Sequence, residues 1–169
     1  LPISIYCQGV SANSLAGNAT ATIGATLNWY TLSSGGTAAA TAPTPATGSA
    51  VTQNYYVSQT LNGIESDRSL IVVNVNPAPT TLTVNITQPT CNVNTSTISL
   101  TGGVANATFI INSGLYSNTN GLFTNIPANA TYSITQRDPI TGCLSVAANA
   151  IVNPALVPPT NPTFAIIQP

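Results

Sequence analysis

Alternation of apolar and polar residues is the feature that most constrains how this chain can fold. In the segment ATLNWYTL, Leu27 and Trp29 alternate with Asn28 and Tyr30, which is the period of two expected of a half-buried β-strand. The segments NYYVSQTL, SLIVVNV and TLTVNIT also read as strands. Turns rich in Gly, Asn and Pro separate candidate strands at roughly 8–12 residues, a spacing typical of an all-β sandwich or barrel. The sequence therefore predicts an all-β, antiparallel fold.

Two short landmarks recur along the chain and indicate its domain organisation. Val-Asn-Pro occurs at residues 75–77 and again at residues 152–154, an offset of 77 residues. Gln-Pro occurs at residues 88–89 and 168–169, an offset of 80 residues. A period of roughly 80 residues is that of a small β-sandwich domain and is too long for a solenoid repeat. We therefore predict two tandem β-sandwich modules, residues 1–77 and 78–154, arranged as beads on a string.

Residues 155–169 are predicted to be a proline-rich linker followed by the start of a further, truncated module. Proline-rich connectors favour extended polyproline conformations and act as semi-rigid spacers. The closing segment TFAIIQP has the same ending as the earlier VNITQP, and the chain does not begin with Met, which fits a fragment of a larger precursor. No run of about 18 apolar residues occurs, so we expect no membrane-spanning segment.

Charged residues are so scarce that most functional classes are disfavoured. They make up 3% of the chain, and there is no His. A Ser or Thr nucleophile would lack a His or Lys to take its proton, and zinc would lack His ligands. Two arginines far apart in sequence cannot form the basic surface that nucleic acid requires. We therefore expect no enzyme activity, no metal or cofactor and no nucleic-acid partner. The charged residues are Glu65, Asp67, Arg68, Arg137 and Asp138.

Glu65 and Asp67 are the one pair of carboxylates close enough to suggest a site. At positions i and i+2 they would share a strand face, within the spacing that glycosidases use. However, the stretch NGIESDRS begins with Asn-Gly, which indicates a hairpin turn whose charges lie in water. We favour the turn.

Three cysteines and five Asn-X-Ser/Thr sequons are the candidate sites for disulfide bonds and N-glycosylation. Cys91 and Cys143 flank most of the second module, and a disulfide between them would close a loop of about 53 residues and contribute roughly 4 kcal/mol. Such a bond implies an oxidising compartment. Cys7 has no partner in its own module and is predicted to be an unpaired thiol, buried or bonded outside this chain. The sequons are at Asn18, Asn85, Asn94, Asn106 and Asn129, which is unremarkable in a chain this rich in Asn and Thr.

Aromatic and Thr side chains give the remaining candidates. We place Trp29 and Tyr132 in the sandwich cores. Tyr30, Tyr55, Tyr56 and Tyr116 are candidates for stacking on sugars, although core and strand packing explain them equally well. The segment TLTVNIT offers outward Thr at alternate positions, but ice binding requires a long regular Thr array, which one strand cannot supply.

Residues 1–77 resemble a known family. The segments YCQGVSA, TLNWYT, SGGTAAATAPTPAT and YYVSQTLNGIESDRSLIVVNV closely resemble the Ig-like domain of large surface proteins of Bacteroidota. This resemblance implies an Ig-like antiparallel β-sandwich. Ile64 stands where that family usually has a second Cys, which leaves Cys7 without its usual partner.

The second module is similar to the repeat of giant gliding and adhesion proteins of the same phylum. The matching segments are QPTC, LTGG and GLFTNIPANATYSITQRDPITGC. This resemblance implies two tandem Ig-like domains, the Cys91–Cys143 disulfide, type IX secretion and display on the bacterial outer surface. It also implies adhesion or gliding motility, with the modules acting as semi-rigid spacers in a secreted filament. The expected partners are neighbouring modules, surface polysaccharide or other cell-surface proteins. The alternative is a carbohydrate-binding or ice-binding module.

Overall fold

The computed structural model describes residues 3–165 and is built from β-strands. Two short 3₁₀ turns, Leu15–Asn18 and Asn112–Gly114, interrupt the strands, and no α-helix occurs among the described residues. The all-β prediction is confirmed. The strands are β1 (Ile3–Cys7), β2 (Thr26–Tyr30), β3 (Thr52–Leu61), β4 (Ile64–Glu65), β5 (Ser69–Asn76), β6 (Thr83–Thr87), β7 (Thr95–Thr101), β8 (Thr108–Ile111), β9 (Tyr116–Asn118), β10 (Leu122–Pro127), β11 (Ala130–Arg137) and β12 (Ala148–Val152).

The chain divides into two compact units whose limits differ from the expected modules. Unit 1 consists of Leu1–Pro79 together with Ile140–Leu144, and unit 2 consists of Thr80–Pro139 and Ser145–Pro169. The five-residue segment between β11 and β12 therefore belongs to unit 1, which no sequence repeat indicated. The expected linker forms no strand over residues 155–165, and the end of the expected next module lies outside the described residues.

Unit 1 is organised around one sheet with the strand order β1-β5-β3-β2, and β4 pairs with the far end of β3. Strands β2, β3, β4 and β5 pair in antiparallel fashion, whereas β1 lies parallel to β5. In this sheet, the prediction of antiparallel pairing is therefore wrong for β1 and confirmed for the other four strands. A parallel neighbour requires a long crossover connection, and residues 8–68 supply it.

The core of unit 1 lies on one face of this sheet. Alternation along β5 turns Ile71, Val73 and Val75 to that face, all at most 2% exposed. Trp29 of β2 is 3% exposed in the same cluster, and Leu15 from the first 3₁₀ turn covers it from the other side. The layer opposite the sheet is therefore built from irregular chain, with Ala19 and Ala42 also packed against the cluster.

Unit 2 contains two antiparallel sheets with a continuous apolar core. The sheet orders are β10-β7-β6 and β12-β11-β8-β9. Tyr132, 4% exposed, lies in this core and donates a hydrogen bond from its hydroxyl to the Pro127 carbonyl at 2.9 Å. The buried cluster comprises Leu82, Ile98, Leu100, Ala107, Phe109, Ile111, Phe123, Ile126, Tyr132, Ile134, Ala150 and Val152.

Side-chain amides satisfy backbone groups at the margins of these sheets. The Gln88 side chain donates to the Ile151 carbonyl at 3.0 Å and accepts from the Asn153 N–H at 2.9 Å. Asn118 similarly donates to the Leu122 carbonyl at 2.8 Å. Buried Gln136 accepts from the Val104 N–H and donates to a backbone carbonyl, both at 2.8 Å. Uncharged amides therefore pair with backbone groups at these sheet margins and, through Gln136, in the interior of unit 2.

The disulfide joins Cys7 to Cys143, so both the predicted Cys91–Cys143 bond and the predicted unpaired Cys7 are wrong. The bonded residues have a Cα–Cα distance of 5.5 Å, within the usual range for a disulfide. Cys143 is fully buried in the segment that belongs to unit 1, whereas Cys91 is an exposed thiol in unit 2. The prediction failed because it assumed that each module is a continuous stretch of chain.

The corrected bond can be checked by trypsin digestion of the non-reduced, denatured protein. Arg68 and Arg137 are the only basic residues, so cleavage yields fragments 1–68, 69–137 and 138–169. We expect the first and third fragments to stay linked until reductant is added, with the middle fragment released. Linkage of the middle fragment to the third, measured by mass spectrometry, would contradict the bond. A Cys91→Ser variant should give the same linked pair.

Candidate functional site

A tight hairpin places the charged residues of unit 1 at one end of its sheet. Asn62 and Gly63 have φ values of 53° and 81°, the left-handed conformations that a two-residue hairpin turn requires. The predicted turn is therefore present, and it pairs Glu65 with Thr60 across β4 and β3. Asp67 lies beyond the end of β4, so the strand face that Glu65 and Asp67 were to share does not form.

The Glu65 carboxylate is held by side chains from two neighbouring strands. The Tyr30 hydroxyl donates to Oε1 at 2.6 Å, and the Ser58 hydroxyl donates to the same oxygen. The Arg68 guanidinium carbon lies 3.3 Å from the centre of the Tyr30 ring, a cation–π contact. We call Tyr30, Ser58, Glu65 and Arg68 the Glu65 cluster.

Arg68 also fixes the loop that follows β2. Its Nη1 donates to the carbonyls of Leu32 and Gly35, each at 2.8 Å. The loop and the β4 hairpin together line an open cavity of about 320 Å³. The lining residues are Ser33, Ser34, Gly35, Glu65, Ser66, Asp67 and Arg68.

Hydrogen bonding sets the ionisation of Glu65. The hydrogen bond from Ser58, then that from Tyr30, and the nearby positive charge of Arg68 lower the pKa of Glu65 below its ordinary value. A carboxylate that stays ionised and accepts two hydroxyl donors is a poor general acid. No group of three or more metal-ligating side chains occurs within residues 3–165. The arrangement is therefore suited to fixing two strands and a loop together.

The predicted aromatic candidates do not form one surface. Tyr30 and Tyr56 lie opposite each other on the outer face of the unit 1 sheet, but Tyr30 is 7% exposed and Arg68 covers one of its faces. Tyr55 points into the core, where burial raises its pKa. Tyr116 packs against the core of unit 2. A sugar-stacking role stays a prediction for the half-buried rings, Tyr56 and Tyr116.

A polar face in unit 2 was only partly foreseen. The outward residues of β6 are exposed Thr83, Asn85 and Thr87, and each lies directly opposite a residue of β7. Thr83 pairs with Thr101, Asn85 with Ser99, and Thr87 with Thr97. We call these six residues the Thr face. The β6 strand alone was expected to be too short for a Thr array. The register of β6 against β7 adds a second row of hydroxyl side chains beside it.

The match to a family of known domains covers the first part of the chain. Residues 2–77 match the family model described as "Ig-like domain CHU_C associated", a family of the Bacteroidota type. The antiparallel order β2-β3-β5 has the arrangement of the C, F and G strands of an Ig fold. An Ig-like module is therefore supported for these residues. No curated protein matches the chain significantly.

Solved structures give only distant likenesses. Murine CEACAM1b is 14% identical with a TM-score of 0.32, over 92% of this chain and 96% of that one. The Bacteroides ovatus mixed-linkage glucan utilization locus protein SGBP-B, solved with a mixed-linkage heptasaccharide, is 15% identical with a TM-score of 0.29. The human desmocollin-1 ectodomain is 11% identical with a TM-score of 0.28. The alignments with SGBP-B and desmocollin-1 span 92% and 97% of this chain, but only 43% and 37% of those two proteins. Similarity this low carries no functional argument.

Among residues 3–165, no helix has the length and hydrophobicity needed to cross a bilayer.

Acid should destabilise unit 1 through Glu65. Because the pKa of Glu65 is lowered in the folded state, its stabilising effect is present at pH values above the ordinary value of 4.5 and is lost as the pH falls through the lowered pKa. We therefore expect the midpoint of thermal unfolding to drop between pH 6 and acid pH, and the drop to shrink in Glu65→Gln. Asp67→Asn, two residues away, is the matched control. An unchanged pH dependence in Glu65→Gln, measured by circular dichroism, would contradict the assignment.

Proposed function

We propose that this chain is a structural and adhesive segment of a large secreted protein on the bacterial outer surface. The observation that carries the proposal is the Ig-like match over residues 2–77, since modules of this kind are typically non-enzymatic. The Cys7–Cys143 disulfide supports it, because such bonds persist in oxidising environments. In this proposal the two units are tandem Ig-like modules that act mainly as semi-rigid spacers in a filament used for adhesion or gliding and exported by type IX secretion.

The composition suits a surface spacer. With 3% charged residues, few ion pairs are available for salt to screen, and the chain has only three acidic side chains. The Glu65 cluster fastens a hairpin and a loop to the unit 1 sheet and contains no acid–base pair. The partners proposed for the filament are neighbouring modules of the same polypeptide, surface polysaccharide and other cell-surface proteins.

Surface display can be tested with an antibody raised against this chain. We expect labelling of intact source cells, loss of the label after brief protease treatment of those cells, and a band several times larger than 17.2 kDa in the surface extract. Labelling that requires permeabilised cells, with a small soluble species, would contradict the proposal. A spacer role is tested separately by replacing residues 1–154 with unrelated Ig-like domains of equal length. Attachment of cells should persist after that exchange and fail if these residues hold the binding site.

A second candidate function follows from the Thr face. Residues two apart along a strand are about 6.6–6.8 Å apart, and neighbouring strands about 4.7–4.9 Å apart, so the six side chains form a regular grid. The grid carries no charge and no aromatic ring. Four of the six residues are Thr, and Asn85 and Ser99 form the middle pair. A regular array of small uncharged polar groups on this scale can order water in a pattern resembling an ice surface, whereas sugar sites usually include a stacking ring. We therefore propose ice as the second candidate ligand.

An ice recrystallisation assay tests this candidate with two matched variants. The native chain should inhibit recrystallisation, and Thr87→Lys should lose most of that inhibition because the charge breaks the grid. Thr131→Lys places the same charge on the exposed face of β11 in the other sheet and should have little effect. Native protein without inhibition, or equal loss in both variants, would rule out the Thr face as an ice-binding surface.

A further inference from the structure

The Cys7–Cys143 bond closes a covalent loop around most of the chain. The bonded residues are 136 positions apart in a chain of 169 residues. When a polypeptide is pulled by its two ends, tension follows the shortest covalent path. That path runs from the N-terminus to Cys7, crosses the disulfide to Cys143 and continues to the C-terminus. Residues 8–142 lie off the path.

We propose that this disulfide is a mechanical clamp that prevents β2 to β11 from being drawn out when the chain is under tension. The biological use of the clamp rests on the proposed function, in which the chain is a segment of a surface filament loaded along its length. The physical part of the inference depends only on which cysteines are bonded. It can therefore hold even where the surface role fails.

Two strands remain on the force path, and both lie at the margin of a sheet. β1 ends at Cys7 and is the outermost strand of the order β1-β5-β3-β2. β12 follows Cys143 and is the outermost strand of the order β12-β11-β8-β9. Tension can peel these strands away but cannot extend what lies between the cysteines. The off-path residues include the unit 1 core residues Trp29, Ile71 and Val73.

The position of the bond protects it as well. Cys143 is fully buried, so its sulfur has little access to reductants in the folded protein. The predicted Cys91–Cys143 bond would have enclosed only 52 positions, all of them in the second half of the chain. Every strand of the unit 1 sheet would then have remained on the force path. The observed pairing takes β2 to β11, from both units, off the force path.

Single-molecule force spectroscopy on the full chain, tethered at its two termini, measures the clamp directly. The Cys91→Ser variant is the starting protein, because it excludes exchange with the third thiol. Closing 136 positions should shorten the fully stretched oxidised chain by roughly 450–490 Å relative to the reduced chain, at roughly 3.3–3.6 Å per residue. The difference does not depend on the folded shape.

The double variant Cys7→Ser, Cys91→Ser is the matched control and should reach the full stretched length without reductant. This readout survives a failure to fold, because an unfolded chain without the bond also stretches fully. Equal stretched lengths for oxidised and reduced Cys91→Ser would overturn the clamp. If the stretched length of the oxidised native chain were only about 170–190 Å shorter than that of the reduced chain, the loop would enclose 52 positions, and this result would overturn the clamp as well. Antibody labelling of intact cells bears on the filament role alone, so the two failures are distinguishable.

Discussion

The alternation of side chains across each strand is the constraint on which the rest of this structure depends. With 3% charged residues, the chain has too few Lys and Glu residues to make the outward faces of its strands polar, so Thr, Ser and Asn serve instead. In β5, Ile71, Val73 and Val75 face the core while Asn74 and Asn76 face away. A slip of one residue would exchange these two sets and place amides in the core. Register is therefore strongly specified even though electrostatics contributes little.

Sequence alone was sufficient for the features that depend on local pattern. The segments around Trp29, Tyr56 and Val73 form β2, β3 and β5, and the Asn62–Gly63 turn is where it was expected. The irregular layer of unit 1 was not foreseen, because Leu15 and Ala42 come from segments without strand periodicity. The parallel pairing of β1 was missed for a related reason. Its partner lies more than sixty residues away, and alternation says nothing about which strands pair.

The candidate sites show the same limit. Glu65 is exposed, as expected, but the hydroxyls of Tyr30, 35 residues earlier, and Ser58 also donate to its carboxylate. No local pattern near Glu65 encodes those donors. The Thr face was underestimated because only the β6 segment was considered. Its second rank on β7 is set by the register of the strands, which brings Thr97 opposite Thr87. Cross-strand partners of this kind require the fold before they can be identified.

The unexpected disulfide lies in the unit that has the smaller buried cluster. Among the described residues, the buried cluster of unit 1 has seven members and that of unit 2 has twelve. Unit 1 also covers its sheet with irregular chain, and ordering each residue of that chain costs conformational entropy. On the chain-entropy estimate, closing a loop of this length stabilises the folded state by about 5 kcal/mol, and small cores benefit most from such a crosslink. Because the bond also fixes Ile140–Leu144 in unit 1, that segment depends on a covalent tie in addition to its own packing. Thermodynamic support and protection from tension thus come from the same pairing, whereas the predicted Cys91–Cys143 bond would have left every strand of the unit 1 sheet on the force path.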